Sequence, residues 1–205
     1  MLKVFTDQTN FSSNVYVFTK KNSAIIVDSG YYGLDVKDYL KNLNLKAILL
    51  THGHYDHIMC LDQIKKEYGD IKVYIHKNDY DFLTTPQLNL SLNNKKIVKI
   101  KSSVIPLEDG EYMIDDIKFK LINTPGHTKG SSLFYLPDDN ILFTGDTIFV
   151  DSIGRTDLIT GSNKDMYDSL QKIKSYAFKD DILICPGHGM SAVYKKVKEI
   201  NIYLS

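Results

Sequence analysis

The sequence predicts an α/β (α+β) protein in which two β-sheets pack face to face and helices cover their outer faces. Three observations carry that expectation. Apolar runs of four to eight residues, rich in β-branched and aromatic side chains, recur along the whole 205-residue chain. Stretches with helical spacing of apolar residues alternate with them. Each half of the chain runs from strands into helices. A mixed three-layer sheet satisfies the same order and stays open at this point.

The elements follow in order. Val15–Phe18 and Ala24–Val27 read as a hairpin pair about the polar turn Lys20-Lys21-Asn22-Ser23. A helix is expected from Leu34 to about Leu43, a strand at Ala47–Leu50, a helix at about Ile58–Tyr68 and a strand at Lys72–Ile75. Asn78–Leu83 reads as a short helix, and the polar, proline-containing stretch Thr84–Asn94 as a loop. In the second half, strands are expected at Lys99–Ile105, Tyr112–Ile114, Ile117–Ile122, Ser132–Leu136 and Ile141–Phe143. A loop from Asp146 to Asn163 leads to a helix at Lys164–Tyr176, a strand at Ile182–Ile184 and a last helix at about Val193–Ile200. The length suits one domain spanning residues 1–205, with enough chain to bury a core without staples.

The formal charge is zero, and its make-up says more than its sum. Of the 25 basic residues 24 are lysine, and Arg155 is the one arginine; the acids are 21 aspartates and 4 glutamates. A protein that grips nucleic acid by neutralising phosphates would be basic and hold several arginines, so that class is excluded. No apolar stretch approaches membrane-spanning length, and Met1–Asp7 lacks the apolar core of a secretory signal. Cys60 and Cys185 are too few for a disulfide framework and read as small buried side chains in a reducing cytoplasm.

The chemistry concentrates in Thr51-His52-Gly53-His54-Tyr55-Asp56-His57, between a strand and a helix. His52 and His54, two apart at a strand end, project to one side and can share an ion. Asp56 and His57 follow where the chain turns into a helix and can face a second ion. Further ligands are needed, because zinc takes four or five, with a catalytic site keeping one position for water. His127 in Thr124-Pro125-Gly126-His127, Asp146 in Thr144-Gly145-Asp146-Thr147 and His188 in Pro186-Gly187-His188-Gly189 each follow an expected strand. Loops at one edge of a rigid scaffold are where sites are built.

These four motifs, in this order, resemble the metallo-β-lactamase-fold hydrolases, over nearly the whole chain. Within that superfamily the chain is similar to the short, single-domain glyoxalase II (hydroxyacylglutathione hydrolase-like) branch. The resemblance implies a four-layer αββα sandwich with two divalent metal ions, zinc first, with iron or manganese as alternatives. It implies that His52, His54 and His127 hold one ion, that Asp56, His57 and His188 hold the other, and that Asp146 bridges them. Common true β-lactamases carry Cys at the position of Asp146, and flavodiiron members carry Glu at that of His54, so those branches are disfavoured. Quorum-signal lactonases share the ligands.

Two close cations lower the pKa of a shared water toward neutrality. The expected activity is therefore hydrolysis of a hydroxyacyl thioester, S-lactoylglutathione or a relative, by a metal-bridging hydroxide, with Asp56 and Asp146 as catalytic carboxylates. The partner is a small acyl thioester, with no nucleic acid and no membrane; the oligomeric state is open. Gly154-Arg155-Thr156-Asp157 resembles a stretch shared by short glyoxalase II-like proteins and persulfide dioxygenases. There Arg155, with Lys129 after the His127 loop, is expected to meet an anionic substrate, and Asp157 to order the loop. Asp28, in Val27-Asp28-Ser29-Gly30, is expected to support a metal-bound histidine or to make a turn. His76 reads as a capping or packing residue. Relatives with a known glutathione site carry an aromatic where Asp157 stands, and a C-terminal helical extension, which leaves the thiol carrier open. The enzymatic alternative is a persulfide dioxygenase using one iron held by His52, His127 and Asp146. A metal-dependent sensor without turnover is the other.

Overall fold

The computed structural model describes residues 1–7, 12–93 and 96–204. The first half holds β1 (Leu2–Phe5), β2 (Val15–Lys20), β3 (Ser23–Val27), α1 (Leu34–Leu40), β4 (Leu45–Leu50), α2 (Tyr55–Ile58), α3 (Leu61–Tyr68), β5 (Lys72–His76) and β6 (Ile105–Leu107). The second holds β7 (Gly110–Ile114), β8 (Ile117–Asn123), β9 (Ser132–Leu136), β10 (Ile141–Gly145), α4 (Asn163–Ser175), β11 (Leu183–Pro186), β12 (Ala192–Val193) and α5 (Tyr194–Ile200). Two six-stranded sheets result, ordered β1-β2-β3-β4-β5-β6 and β12-β11-β10-β9-β8-β7. The three-layer alternative is thereby closed.

Strand side chains alternate between faces, and here both faces are apolar. In β2, Val15 and Val17 point out toward α1 and α3, while Tyr16 and Phe18 point at the second sheet. In β4, Ile48 and Leu50 point out and Ala47 and Leu49 in. Across the interface, β10 turns Ile141 and Phe143 inward and Leu142 outward onto α4 and α5. Three apolar layers between four layers of structure follow from that period. A fully buried aliphatic side chain stabilises by about 1.5–3 kcal/mol, against about 0–1 for an exposed ion pair, so these layers rather than the surface charges hold the fold.

Several expected elements shift. The expected strand at Lys99–Ile105 is confined to Ile105–Leu107. Before it, the Ile100 amide donates to the Leu83 carbonyl and the Lys101 and Ser102 amides to the Asp62 carboxylate, so these donors leave no ladder. The helix expected at Ile58–Tyr68 breaks at Met59-Cys60, where the Cys60 amide turns to the Ser29 carbonyl. Lys77–Leu83 is a 3-10 helix capped by the His76 ring, which accepts from the Asn78 amide. The stretch 84–93 is turns with a 3-10 turn at Ser91–Asn93; Asn94, the end of the expected loop, lies outside the described residues. Both cysteines are free, Cys185 buried and Cys60 half-buried. Among the described residues no helix is long and apolar enough to cross a membrane.

Candidate metal centre

Five strands deliver the site at their carboxyl ends. Asp28 follows β3, His52 to His57 follow β4, His127 follows β8, Asp146 follows β10 and His188 follows β11. The seven expected ligands converge. Their donor atoms form three groups, each within 4.8 Å: His52-His54-His127, His52-His57-Asp146 and Asp56-His57-His188.

Neighbouring groups fix which ring nitrogens carry protons. Asp28 sits at φ 61°, a strained conformation for a non-glycine residue, and is almost wholly buried. It accepts from the Thr51 amide at 2.8 Å, from the Thr51 hydroxyl at 2.9 Å and from His57 Nδ1 at 2.8 Å. With its proton given to Asp28, Thr51 Oγ1 accepts from His52 Nδ1 at 3.2 Å. His127 Nδ1 donates to the Arg155 carbonyl at 2.8 Å. The Nε2 atoms of His52 and His127 are therefore bare lone pairs aimed into the centre.

This arrangement fits metal ions. His54 Nδ1 lies 3.1 Å from His52 Nε2 and 2.9 Å from His127 Nε2, and a single proton there satisfies only one of the two. His57 Nε2 and Asp146 Oδ1 face each other at 3.4 Å, both buried and without a hydrogen-bond partner. Crowded acceptors of this kind call for cations between them.

The electrostatics agree. Burial and the neighbouring His57 push His52 well below the ordinary histidine value, and burial and His127 push His54 to about 3, leaving both neutral as ligands must be. Burial would raise Asp146, but His57, His127 and His188 overcome it and hold the carboxylate well below its usual range. Asp56 is lowered in the same way, by His57 and His188. Burial would depress His57, but Asp28, Asp146 and Asp56 hold it well above the ordinary value. Positive charge is thus wanted beside His57, where a cation supplies it.

The other expected residues fall at varied distances from this centre. Arg155 lines the cavity beside the ligands, and its exposed guanidinium is gripped at both ends by Asp157, at 2.7 and 2.8 Å. Lys129 is exposed and is not among the cavity-lining residues. The cavity, about 320 Å³, is lined by His54, Asp56, His127, Asp146 and His188 with Tyr55, Leu90, Leu158 and Arg155. Asn14 and Tyr16 donate to the Pro186 carbonyl at 3.0 and 2.9 Å and so brace the His188 loop.

Asp79 had no signal in the sequence, since its partners lie 26 and about 50 residues away. Fully buried, it accepts from the Gly53 amide at 2.9 Å, the Gly130 amide at 2.7 Å and the Thr128 hydroxyl at 2.7 Å. It therefore ties the His52–His54 turn to the His127 loop. Asp79→Asn must turn an NH₂ toward one of those donors, and an unmet buried donor costs about 1–3 kcal/mol. That loss is expected in urea unfolding of the metal-free protein. Burial also pushes this carboxyl from the ordinary 3.8 up to about 6, against the pull of its three donors. Its contribution to stability is then full below pH 3.8 and lost as pH rises through about 6. The asparagine variant should be flatter over that interval.

A two-sheet sandwich carrying three interlocked groups of histidine and aspartate at one edge defines a class of metal-dependent hydrolases. The profile of the metallo-beta-lactamase superfamily matches residues 9–188, and the chain belongs to that superfamily. It is 34% identical over 181 residues to the probable metallo-hydrolase YqgX of Bacillus subtilis, covering 86% of this chain and 85% of that protein. It is 31% identical to the hydroxyacylglutathione hydrolase GloC of Haemophilus influenzae, covering 91% and 89%. The crystal structure of BLEG-1, a B3 metallo-beta-lactamase, superposes with a TM-score of 0.91 at 29% identity, over 100% of both chains.

Proposed function

We propose that the protein hydrolyses a hydroxyacyl thioester. The supporting observation is the pair of donor groups linked through His57 and Asp146 and opening on one cavity. The similarity to GloC supports the thioester as substrate class. Two divalent ions, zinc first, would be held by His52, His54 and His127 and by Asp56, His57 and His188, and would supply an activated water and polarise the acyl carbonyl. Asp146 reaches both groups, with Oδ1 toward His57 and Oδ2 3.6 Å from both His127 and His188. Asp56, its Oδ2 3.2 Å from His188 Nε2 and its side chain at the cavity, takes the proton of the attacking water. The water oxygen bonds to the acyl carbon, the carbon–sulfur bond breaks, and the thiolate leaves to be protonated. Among the described residues, no serine or cysteine nucleophile lines the cavity. Arg155 meets the substrate at the rim.

The test joins elemental analysis with assays of the metallated protein on thioesters, a β-lactam and a thiol persulfide. Two metals per chain, thioester cleavage and its loss on chelation are expected. No cleavage of any thioester overturns the reading. One iron with oxygen consumption on the persulfide would establish the dioxygenase instead, and turnover of the β-lactam alone an antibiotic hydrolase.

A further inference from the structure

Leu90 lines the cavity beside His54 and Asp56 in a backbone conformation that leucine rarely adopts, φ 66°. Its two neighbours hold it there. Asn89 is fully buried; its side-chain Nδ2 donates to the Phe82 carbonyl at 2.8 Å and the Val98 carbonyl at 3.0 Å. Its own carbonyl accepts from the Tyr55 amide, at the start of the helix carrying Asp56 and His57, at 2.8 Å. Ser91, also fully buried, is locked to Val98 by a 2.9 Å bond to its hydroxyl. Strain fixed from both sides, at a residue facing the reacting groups, marks a position kept for function.

The surroundings say what Leu90 meets. Tyr55 and Leu158 are the other apolar lining residues described, and the lining Arg155 is engaged by Asp157. A cavity of about 320 Å³ that also contains the ligand carboxylates has room for a small group next to the reacting carbon. Resting on the hydrolase reading above, we infer that Leu90 is a specificity-determining residue: it packs against the acyl group of the substrate and restricts the site to short, uncharged acyl chains.

Leu90→Gly tests this without threatening the fold, because glycine adopts positive φ freely. Leu90→Asn keeps a residue that tolerates this conformation while removing the apolar surface. Zinc-loaded wild type and variants would be assayed with acetyl, butanoyl, hexanoyl and octanoyl esters of one thiol. Calorimetry would measure binding of the matching free carboxylates. In L90G the ratio of kcat/KM for hexanoyl over acetyl is expected to rise about tenfold, the scale of a methylene-sized change in an apolar pocket. The shift should fall on KM, and carboxylate affinity should move the same way. L90N should weaken binding of the longer carboxylates relative to L90G. An unchanged chain-length preference in both assays overturns the assignment. If no thioester is cleaved while the carboxylate preference still shifts, the hydrolase reading falls and the assignment of Leu90 stands.

Discussion

Asp146→Asn is expected to remove at least one metal per chain and to lower kcat by about a thousandfold, the upper range for loss of one preorganised electrostatic group. The two oxygens of this carboxylate together span both clusters: Oδ1 faces His57 Nε2 at 3.4 Å, and Oδ2 faces His127 and His188 at 3.6 Å each. An asparagine keeps one acceptor oxygen and points two N–H hydrogens at the histidines that the other oxygen served. It also removes the negative charge that balances two cations. The histidines that hold Asp146 below the usual carboxylate range show how strongly this charge is coupled to its surroundings. The metal-free variant should be less stable than the metal-free wild type, because the histidines that hold this carboxylate ionised lose their charged partner. Elemental analysis, kcat and urea unfolding with chelator check the three parts. A variant with two metals and near-normal kcat would contradict the bridging position.

The second large effect is expected from Gly187→Ala. A Cβ at this position would lie 2.1 Å from Asp146 Oδ1 and 2.7 Å from His57 Cε1. His57 is fully buried and pinned by Asp28, so the ring cannot retreat. The carboxylate must swing away, and the metal site opens. Metal affinity should drop by about 100-fold, the upper range for losing the orientation of a ligand. Overpacking should cost about 1–3 kcal/mol of stability in the metal-free protein. Competition against a chromophoric chelator separates the two effects. Wild-type affinity in this variant would mean that the loop relaxes freely.

The sequence revealed the strands and the ligands for a common reason: both depend on short-range spacing. Alternating apolar faces in β2 and β4, and a histidine or aspartate just past a strand, are patterns of a few residues. What stayed hidden depends on long-range backbone contacts. The failed ladder at 99–104 is a matter of Asp62, some 40 residues earlier, capturing two amides. Asp79 and Leu90 stand in stretches with no motif, and only folding brings them to the ligand loops. The orienting group for His127 is the carbonyl of Arg155, which any residue would supply, while its conspicuous guanidinium points to Asp157.

Each donor group draws on both halves of the chain. His127 joins His52 and His54, Asp146 joins His52 and His57, and His188 joins Asp56 and His57. Neither sheet offers a complete set of ligands alone. An ion bound here is therefore a rivet through the sandwich, closing loops of roughly 70 to 130 residues in a chain with no disulfide to do so. Metal supply then governs more than turnover: the free energy of binding adds directly to the adhesion between the two sheets. Starved of metal, the protein would lose its chemistry and part of its cohesion together.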